Sequence, residues 1–280
     1  MSIFGTDLSE LFRDATAVVH QSLSSPPIVF PSRLISVSDL KGTNNRHAGK
    51  HKDFVAAVES FLGVKSKRIS LQALWKSKPP VEAKGQTLQH YMRNACLSPP
   101  ASKAPFFSFC YDFYHQYDVF RNEYQAAFGR QPTVEATVSH QWSLGKNVSE
   151  AEYTDYQARI AVFRRWFGQR VMPLDEKGDT VLILPYASDA PRYTAPQPET
   201  KHGVTAQLLG SLLGAPQVLA PFAQFPYRSK VSHETEYHPV YAALLGASGS
   251  DTMLVKLVEA TFQKARWRTR VDKGRSAFPA

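Results

Sequence analysis

The stretch LLGASGSDTML, residues 244–254, contains two glycines and two serines. Such a stretch fits either a loop that carries a catalytic serine or the start of a helix. A glycine-rich loop can carry a nucleophilic serine, but that serine needs a base and an oxyanion hole. The sequence identifies no such partner for Ser248 or Ser250. The stretch therefore predicts a helix start, with Ser250 or Asp251 as its N-cap. The residues that follow share one helical face: Leu254, Leu257, Val258, Thr261 and Phe262.

Two strands are predicted upstream of this turn. The segment 204–227 carries no charge and is long enough to cross a bilayer. It also contains glutamines and prolines, which a lipid-exposed helix tolerates poorly. A buried helix followed by a buried strand fits it better than a membrane span. The second strand is predicted over Pro239–Leu245, after a loop that contains SHETEYH.

The rest of the chain mixes helical and extended patterns. TVLILP, Thr180–Pro185, is a short apolar strand. Ile28–Val37 is rich in β-branched residues, and Pro31 makes it an edge strand or two short pieces. Apolar spacing predicts helices over Asp7–Leu23, Phe54–Leu62 and Phe106–Phe128, and the polar, proline-rich segment 188–202 reads as a surface loop. The predicted class is α/β, a mixed sheet flanked by helices in one domain, 1–280.

A further helix is predicted to begin at Ser149. Ser149 and Glu152 have the spacing of a capping box, in which each side chain accepts a hydrogen bond from a free backbone N–H at the helix start. Apolar and aromatic residues then follow at steps of three and four: Tyr153, Tyr156, Ile160, Phe163 and Phe167.

Composition indicates a globular protein of a reducing compartment. The chain has 280 residues, of which 43% are hydrophobic and 20% charged, a balance that excludes a disordered protein. Its start is acidic and lacks the apolar core of a signal peptide, and Cys96 and Cys110 are its two cysteines. These features predict a cytoplasmic location.

The formal net charge of +9 raises the question of nucleic acid. The densest basic clusters are KSKR at 65–68, FRRWFGQR at 163–170 and ARWRTRVDKGR at 265–275. None of them lies in a nucleic-acid recognition motif. Solvated basic faces explain the charge, with no specific nucleic-acid partner predicted, and nonspecific binding stays an open alternative.

Two histidine pairs have a spacing that resembles metal-binding motifs. His47 and His51 are four apart and near Asp53, so a helix would place the two rings on one face. Gly49 lies between them and no third ligand is evident, which favours a solvated helix start. His233 and His238 are five apart and precede Pro239, which disfavours a shared helical face. No metal and no cofactor are predicted.

Cys110 and His115 are of the residue types that form a thiol nucleophile and its base. They are also five apart on the predicted helix and would not face each other. The pattern therefore favours a buried structural cysteine.

Several segments together resemble the C-terminal part of amidase signature enzymes. The main one runs from LLGAPQVLAPF at 212–222 through the strand and turn to VEATF at 258–262. The others, in matching order, are SIFGTDLSEL at 2–11, PPIVFPSRLI at 26–35, FVAAVESFLGV at 54–64, HQWSLGKNVSEAEYTDYQARIAVFRRWF at 140–167 and DTVLILPYASDAP at 179–191. The resemblance implies an α/β fold and an amide hydrolase relation.

The resemblance also implies that the catalytic apparatus is missing. Family members hydrolyse amides with a serine nucleophile, a second serine and a lysine, all from their N-terminal half. No loop of the GGSS type occurs in this sequence, and GASGSD at 246–251 matches a C-terminal turn of the family. No catalytic residue is therefore predicted, and no substrate-binding residue can be placed.

Three functions are consistent with the sequence. The chain is an incomplete amidase-like domain or pseudoenzyme, a non-catalytic interaction subunit, or a nonspecific nucleic-acid-binding protein. An incomplete sheet would expose strand edges and apolar faces, so we expect a homo-oligomer or a protein partner that completes the sheet. No membrane association is predicted.

Overall fold

A computed structural model describes residues 28–40, 48–92, 103–175, 179–186, 204–272 and 274–278. The helix predicted over Asp7–Leu23, the loop at 188–202, His47 and Cys96 lie outside these ranges. The strands are β1 (Arg33–Val37), β2 (Lys67–Ile69), β3 (Thr180–Pro185), β4 (Gln217–Arg228) and β5 (Thr235–Leu245). The helices are α1 (Ala48–Leu62), α2 (Leu71–Ser77), α3 (Leu88–Tyr91), α4 (Lys103–His115), α5 (Asp118–Phe128), α6 (Ala136–Lys146), α7 (Glu150–Arg170), α8 (Ala206–Leu213) and α9 (Asp251–Ala265).

The chain packs into two compact units. One is drawn from residues 1–71, 167–193 and 209–280 and contains the sheet, whereas the other is drawn from residues 72–166 and 194–208 and is helical. The single domain predicted over 1–280 stays a prediction. Among the described residues, no helix is both long enough and apolar enough to span a bilayer.

The five described strands form one mixed sheet in the order β2-β1-β3-β5-β4. β1 is parallel to β2 and to β3, while β5 is antiparallel to β3 and to β4. The crossover from β1 to its parallel neighbour β2 runs through α1, as parallel pairing requires. The prediction of an α/β protein with a mixed sheet flanked by helices is confirmed.

Strand alternation divides the sheet residues between two buried faces. One face packs with α1 and α9 in a single apolar cluster, to which β3 contributes Val181 and Ile183 and β5 contributes Ala242 and Leu244. Residues of the other face are buried as well: Ile35, Val37, Leu182, Leu184, Ala243 and Leu245. All residues of the α9 face predicted from the sequence are buried. Leu254, Leu257, Val258 and Phe262 belong to this apolar cluster, and Thr261 is a buried polar residue.

The segment containing Pro31 differs from its prediction. β1 begins at Arg33, after the proline, and lies between β2 and β3 rather than at an edge of the sheet. Pro31 therefore interrupts no ladder, because it precedes the strand. The actual edges are β2 and β4.

The outer edge of β4 is poorly suited to adding another strand. The Tyr237 N–H of β5 donates to Arg275 O at 2.7 Å and therefore points away from β4. Pro226 of β4 is paired with Tyr237, so an N–H at the Pro226 position would point away from β5, toward the open side of β4. Tyr241 lies four residues further along β5, so its N–H also points away from β4. An N–H at the position of its partner, Pro221, would therefore also point toward the open side of β4. Proline has no N–H to offer, so both positions hinder pairing with a further chain.

The helical unit is organised around aromatic side chains. Trp75 is fully buried, 4.8 Å from the Trp166 ring, and both indole N–H groups donate to backbone carbonyls, of Gln86 and Lys78. The indole donors are thus satisfied inside an apolar environment.

The single helix predicted over Phe106–Phe128 is two helices. α4 ends at His115 and α5 begins at Asp118, with Tyr117 between them in a non-helical conformation. The break lacks glycine and proline, so composition did not indicate it. The Tyr117 ring instead lies 5.9 Å from the Trp142 ring of α6, a tertiary contact.

The capping box at the start of α7 is confirmed. The Ser149 N–H donates to Glu152 Oε2 at 3.0 Å, and the Glu152 N–H donates to Ser149 Oγ at 3.3 Å. The helix runs from Glu150 to Arg170, and Tyr156, Ile160, Phe163 and Phe167 of the predicted face are buried.

Candidate functional site

The order of the parallel strands indicates which end of the sheet would bind a ligand. From β1 the chain crosses to β2 on one side, and β3 later pairs on the other side of β1. In open α/β sheets, ligands bind outside the carboxyl ends of strands where the order reverses in this way. The carboxyl ends of β1 and β3 are therefore the candidate site.

Polar residues that follow β1 and β2 form hydrogen bonds at this end of the sheet. The Ser38 hydroxyl and N–H both donate to Ile69 O, at 2.9 and 2.8 Å. The Asp39 carboxylate accepts a hydrogen bond from the Ser70 hydroxyl at 2.8 Å and another from the Leu71 N–H at 3.0 Å. Asp39 thereby caps α2, so its carboxylate has a structural role.

The strand register aligns two tyrosines where β3 ends. Pro185 pairs with Ala242 in the antiparallel register, so the next position places Tyr186 opposite Tyr241 and on the same face of the sheet. Both side chains are partly buried. Burial raises the pKa of each phenol, because the phenolate would lose hydration there. The pair therefore offers two O–H donors that stay protonated at neutral pH.

The glycine-serine turn before α9 holds no activated nucleophile. The Ser250 hydroxyl donates to Ala247 O at 2.7 Å, so its proton is not directed to a base. Ser248 is exposed, and its N–H donates to Leu174 O at 3.0 Å. Its hydroxyl makes no hydrogen bond with any residue in the described ranges.

Ser250 is the N-cap residue of α9, as predicted, but it does not cap through its side chain. The hydroxyl points back to Ala247 and accepts no N–H of the first turn. The prediction of a side-chain cap at Ser250 is therefore wrong. The Ser250 hydroxyl lies close to the backbone of Gly246, since a Cβ added to this glycine would lie 2.2 Å from Ser250 Oγ.

Cys110 and His115 are not brought together as a catalytic pair. Cys110 is fully buried, and burial raises the pKa of its thiol to about 12, far from a reactive thiolate. His115 Nδ1 lies 2.8 Å from Asp118 Oδ2 on the neighbouring helix. The prediction of a buried structural cysteine is confirmed.

The structure does not assemble the histidine sites either. His51 lies in α1 and is partly buried, which corrects the solvated position predicted for it, while Asp53 is exposed. His233 lies in the turn between β4 and β5 with φ of 57°, and His238 is buried within β5 rather than in a loop. No group of three metal-binding side chains occurs among the residues that the structure describes.

Sequence reasoning missed the tyrosine pair. Both residues adjoin predicted strands, Tyr186 directly after Thr180–Pro185 and Tyr241 within Pro239–Leu245. Their proximity depends on the antiparallel register of β3 and β5, which joins positions far apart in the chain. A predicted pairing of these two strands would have been the signal needed to find them.

No family model matches the chain. Among solved structures, 6-aminohexanoate cyclic dimer hydrolase complexed with substrate matches 89% of this chain with a TM-score of 0.51 at 14% identity. A bacterial aryl acylamidase of the amidase signature family matches 90% of it with a TM-score of 0.45 at 10% identity. Peptide amidase from Stenotrophomonas maltophilia matches 91% with a TM-score of 0.44 at 13% identity.

The chain spans about half the length of these solved proteins, 48% of the cyclic dimer hydrolase and 46% of each of the other two. At such identity the likeness concerns the fold alone. In fold, the chain therefore resembles about half of a 6-aminohexanoate cyclic dimer hydrolase, and its structural neighbours include amidase signature enzymes.

Proposed function

We propose that this chain is an amidase-like scaffold that binds amide groups at the carboxyl edge of β3 and has no hydrolytic activity by itself. The observation that carries the proposal is the Tyr186–Tyr241 pair, placed at the switch point of a sheet whose fold resembles that of an amide hydrolase. A neutral phenol donates to an amide carbonyl without adding charge to the site.

The lack of turnover follows from the serines of the glycine-serine turn. Hydrolysis needs a nucleophile whose proton passes to a base. Ser250 donates its proton to a backbone carbonyl, and Ser248 has no such partner among the described residues. These hydrogen bonds support a structural role for the turn. We infer that the chain is a pseudoenzyme or part of a larger hydrolase.

Titration with benzamide, followed by backbone amide NMR, tests the binding. We expect shifts at Ala242 and Ala243, which adjoin Tyr241, and a weaker affinity in Tyr186→Phe and Tyr241→Phe. Tyr237→Phe is the matched control, because Tyr237 also lies on β5 but is 37% exposed and remote from the β3 end. Equal affinity in all three variants, or no shift near Tyr241, would overturn the amide site.

A second candidate function, self-association, is favoured by α5. Arg121 is the only buried residue of this helix, and its guanidinium lies 3.6 Å above the Tyr114 ring. The apolar side chains of α5 remain outside: Val119 is 69% exposed, Phe120 46% and Phe128 63%. A helix with an apolar face left uncovered fits a protein interface.

We infer that a second copy of this chain covers α5. Phe120 lies 5.9 Å from Tyr124 and Phe128 lies 4.6 Å from it, so the aromatic row is symmetric in sequence about Tyr124. Antiparallel pairing of two copies of α5 would set Phe120 against the other copy's Phe128. The three exposed side chains offer roughly 300 Å² per copy, well below the ~800 Å² per partner of a stable complex. The association is therefore weak and reversible.

Light scattering over a range of concentrations tests this interface. We expect a mass that rises with concentration, and a monomer when Phe120 and Phe128 are both changed to Ser. Val81→Ser is the matched control, because Val81 is 86% exposed in the same unit but lies outside α5. A concentration-independent monomer, or association that persists in the double variant, would contradict the inference.

A further inference from the structure

The chain after α9 presents arginines on one side. Arg266 ends the helix with φ of 55°, and the segment then alternates between exposed and partly buried residues. Arg266, Arg268 and Arg270 are exposed, whereas Trp267 and Thr269 between them are partly buried. Arg266 has the left-handed conformation of a helix cap, so the two-residue alternation of extended chain applies to Arg268 and Arg270, about 7 Å from each other.

Trp267 fastens this segment to the apolar core. Its ring lies 5.4 Å from Phe222 and 5.4 Å from Phe262, and stacks on Phe54 at 6.1 Å. These contacts fix the backbone on both sides of the tryptophan. The flanking arginines are therefore carried by an ordered segment, which reduces the entropy lost when they bind a ligand.

The segment runs toward the beginning of α1. Lys264 Nζ donates to Ser60 O at 2.6 Å near the C-terminal end of α1, and Trp267 then stacks on Phe54, six residues earlier in that helix. Trp267 therefore lies beside the N-terminal half of α1. Lys50 and Lys52 are exposed in that half, but residues two apart in a helix lie about 200° apart around its axis, so these lysines do not share one face.

We call the three exposed arginines that follow α9 the basic strip: Arg266, Arg268 and Arg270. Asp272 Oδ1 lies 4.0 Å from Arg270 Nε, so this carboxylate is paired with one arginine of the strip. Arg266 and Arg268 form no ion pair with the residues that the structure describes. A surface depression of about 400 Å³ is lined by residues 267–270 and 272, and so by two of the three arginines.

We propose that the basic strip binds the phosphate backbone of single-stranded nucleic acid without sequence selection. Planar guanidinium groups match phosphate oxygens in pairs, and a linear row of them suits a polymer of phosphates. The Trp267 ring packs into the core and is not free to stack on bases, so the strip offers no aromatic platform for bases.

Fluorescence anisotropy with a labelled single-stranded oligodeoxythymidine tests the proposal. Affinity should fall steeply between about 50 and 200 mM salt, since each phosphate contact contributes a slope of about −0.7 on a log–log plot. The triple variant Arg266→Gln, Arg268→Gln and Arg270→Gln should bind about tenfold or more weakly at low salt, with a slope shallower by about 2.

The matched control removes the same charge from the other unit. Lys76, Lys78 and Lys84 are exposed there, and their triple change to Gln should leave the slope nearly unaltered. Equal losses in both triple variants would mean that overall charge alone drives binding, and would overturn the proposal. Unchanged binding by the arginine variant, or tighter binding of the wild type to phosphatidylserine vesicles than to the oligonucleotide, would overturn it as well.

Discussion

The Ser250 hydroxyl donates a hydrogen bond to the carbonyl oxygen of Ala247, 2.7 Å away, and so holds the turn that leads into α9. We expect Ser250→Ala to lower the free energy of unfolding by about 1 kcal/mol, the usual net value of one such bond. Ser248→Ala is the control, because this exposed side chain makes no comparable bond, and its effect should stay within about 0.5 kcal/mol. Urea denaturation measures both, and equal effects would argue against a structural role for Ser250.

At Gly145, α6 lies directly against the backbone of α4. A Cβ on Gly145 would lie 2.0 Å from the backbone oxygen of Cys110 and 2.8 Å from Tyr114 Cβ, so Gly145→Ala must push the helices apart. We expect a loss of about 3 kcal/mol or more. Gly168→Ala in α7 is the matched control, since its Cβ would meet only Leu174 side-chain atoms at 3.8 Å. That variant should be stabilised by about 0.5–1 kcal/mol, as alanine favours a helix interior.

The capping box of α7 gives a non-additive prediction. Ser149→Ala and Glu152→Ala should each cost about 1 kcal/mol, because each leaves an N–H at the helix start without its partner. Ser149 Oγ also lies 3.0 Å from Glu152 Oε2, so the two side chains act as one unit. The double variant should therefore lose less than the summed single effects in a double-mutant cycle. Strict additivity would show that the two bonds are independent.

His51 makes stability depend on pH. Burial lowers the pKa of its imidazole to about 4, from 6.5, and Nδ1 has no hydrogen-bond partner among the described residues. The folded chain therefore keeps His51 neutral while the unfolded chain takes up a proton below pH 6.5. Stability should fall as the pH drops from about 6.5 to about 4, by about 3 kcal/mol at most from this group.

His51→Leu removes that proton uptake and should flatten the same part of the curve in urea denaturation. At pH 8 the imidazole is neutral in both states, so a comparison there isolates the packing change caused by the substitution. An unchanged slope between pH 6.5 and 4 in the variant would show that other groups set the acid sensitivity.

Local patterns predicted the elements whose signals are local. The apolar face of α9, the strand Thr180–Pro185 and the Ser149–Glu152 capping box all appear as expected, because each depends on residues close in sequence. The central position of β1 was missed because strand order depends on pairing between distant segments. The alignment of Tyr186 with Tyr241 was missed for the same reason, and the break before α5 coincides with a tertiary contact of Tyr117 rather than with a glycine or proline.

The aromatic contacts of Trp267 show a related limit. The run of alternating arginines from 266 to 270 is visible in the sequence, but it is equally consistent with a solvated tail. Its direction along α1 is set by the contacts of Lys264 with Ser60 and of Trp267 with Phe54, which join residues about 200 positions apart.

Incubation of the purified chain with simple carboxamides is the direct test of the proposed lack of hydrolysis. We expect no release of ammonia or amine above the buffer rate, because neither Ser248 nor Ser250 has an activating base among the described residues. Ser248→Ala and Ser250→Ala should leave that background unchanged. Turnover that is abolished by either substitution would overturn the proposed lack of activity and make the glycine-serine turn a catalytic loop.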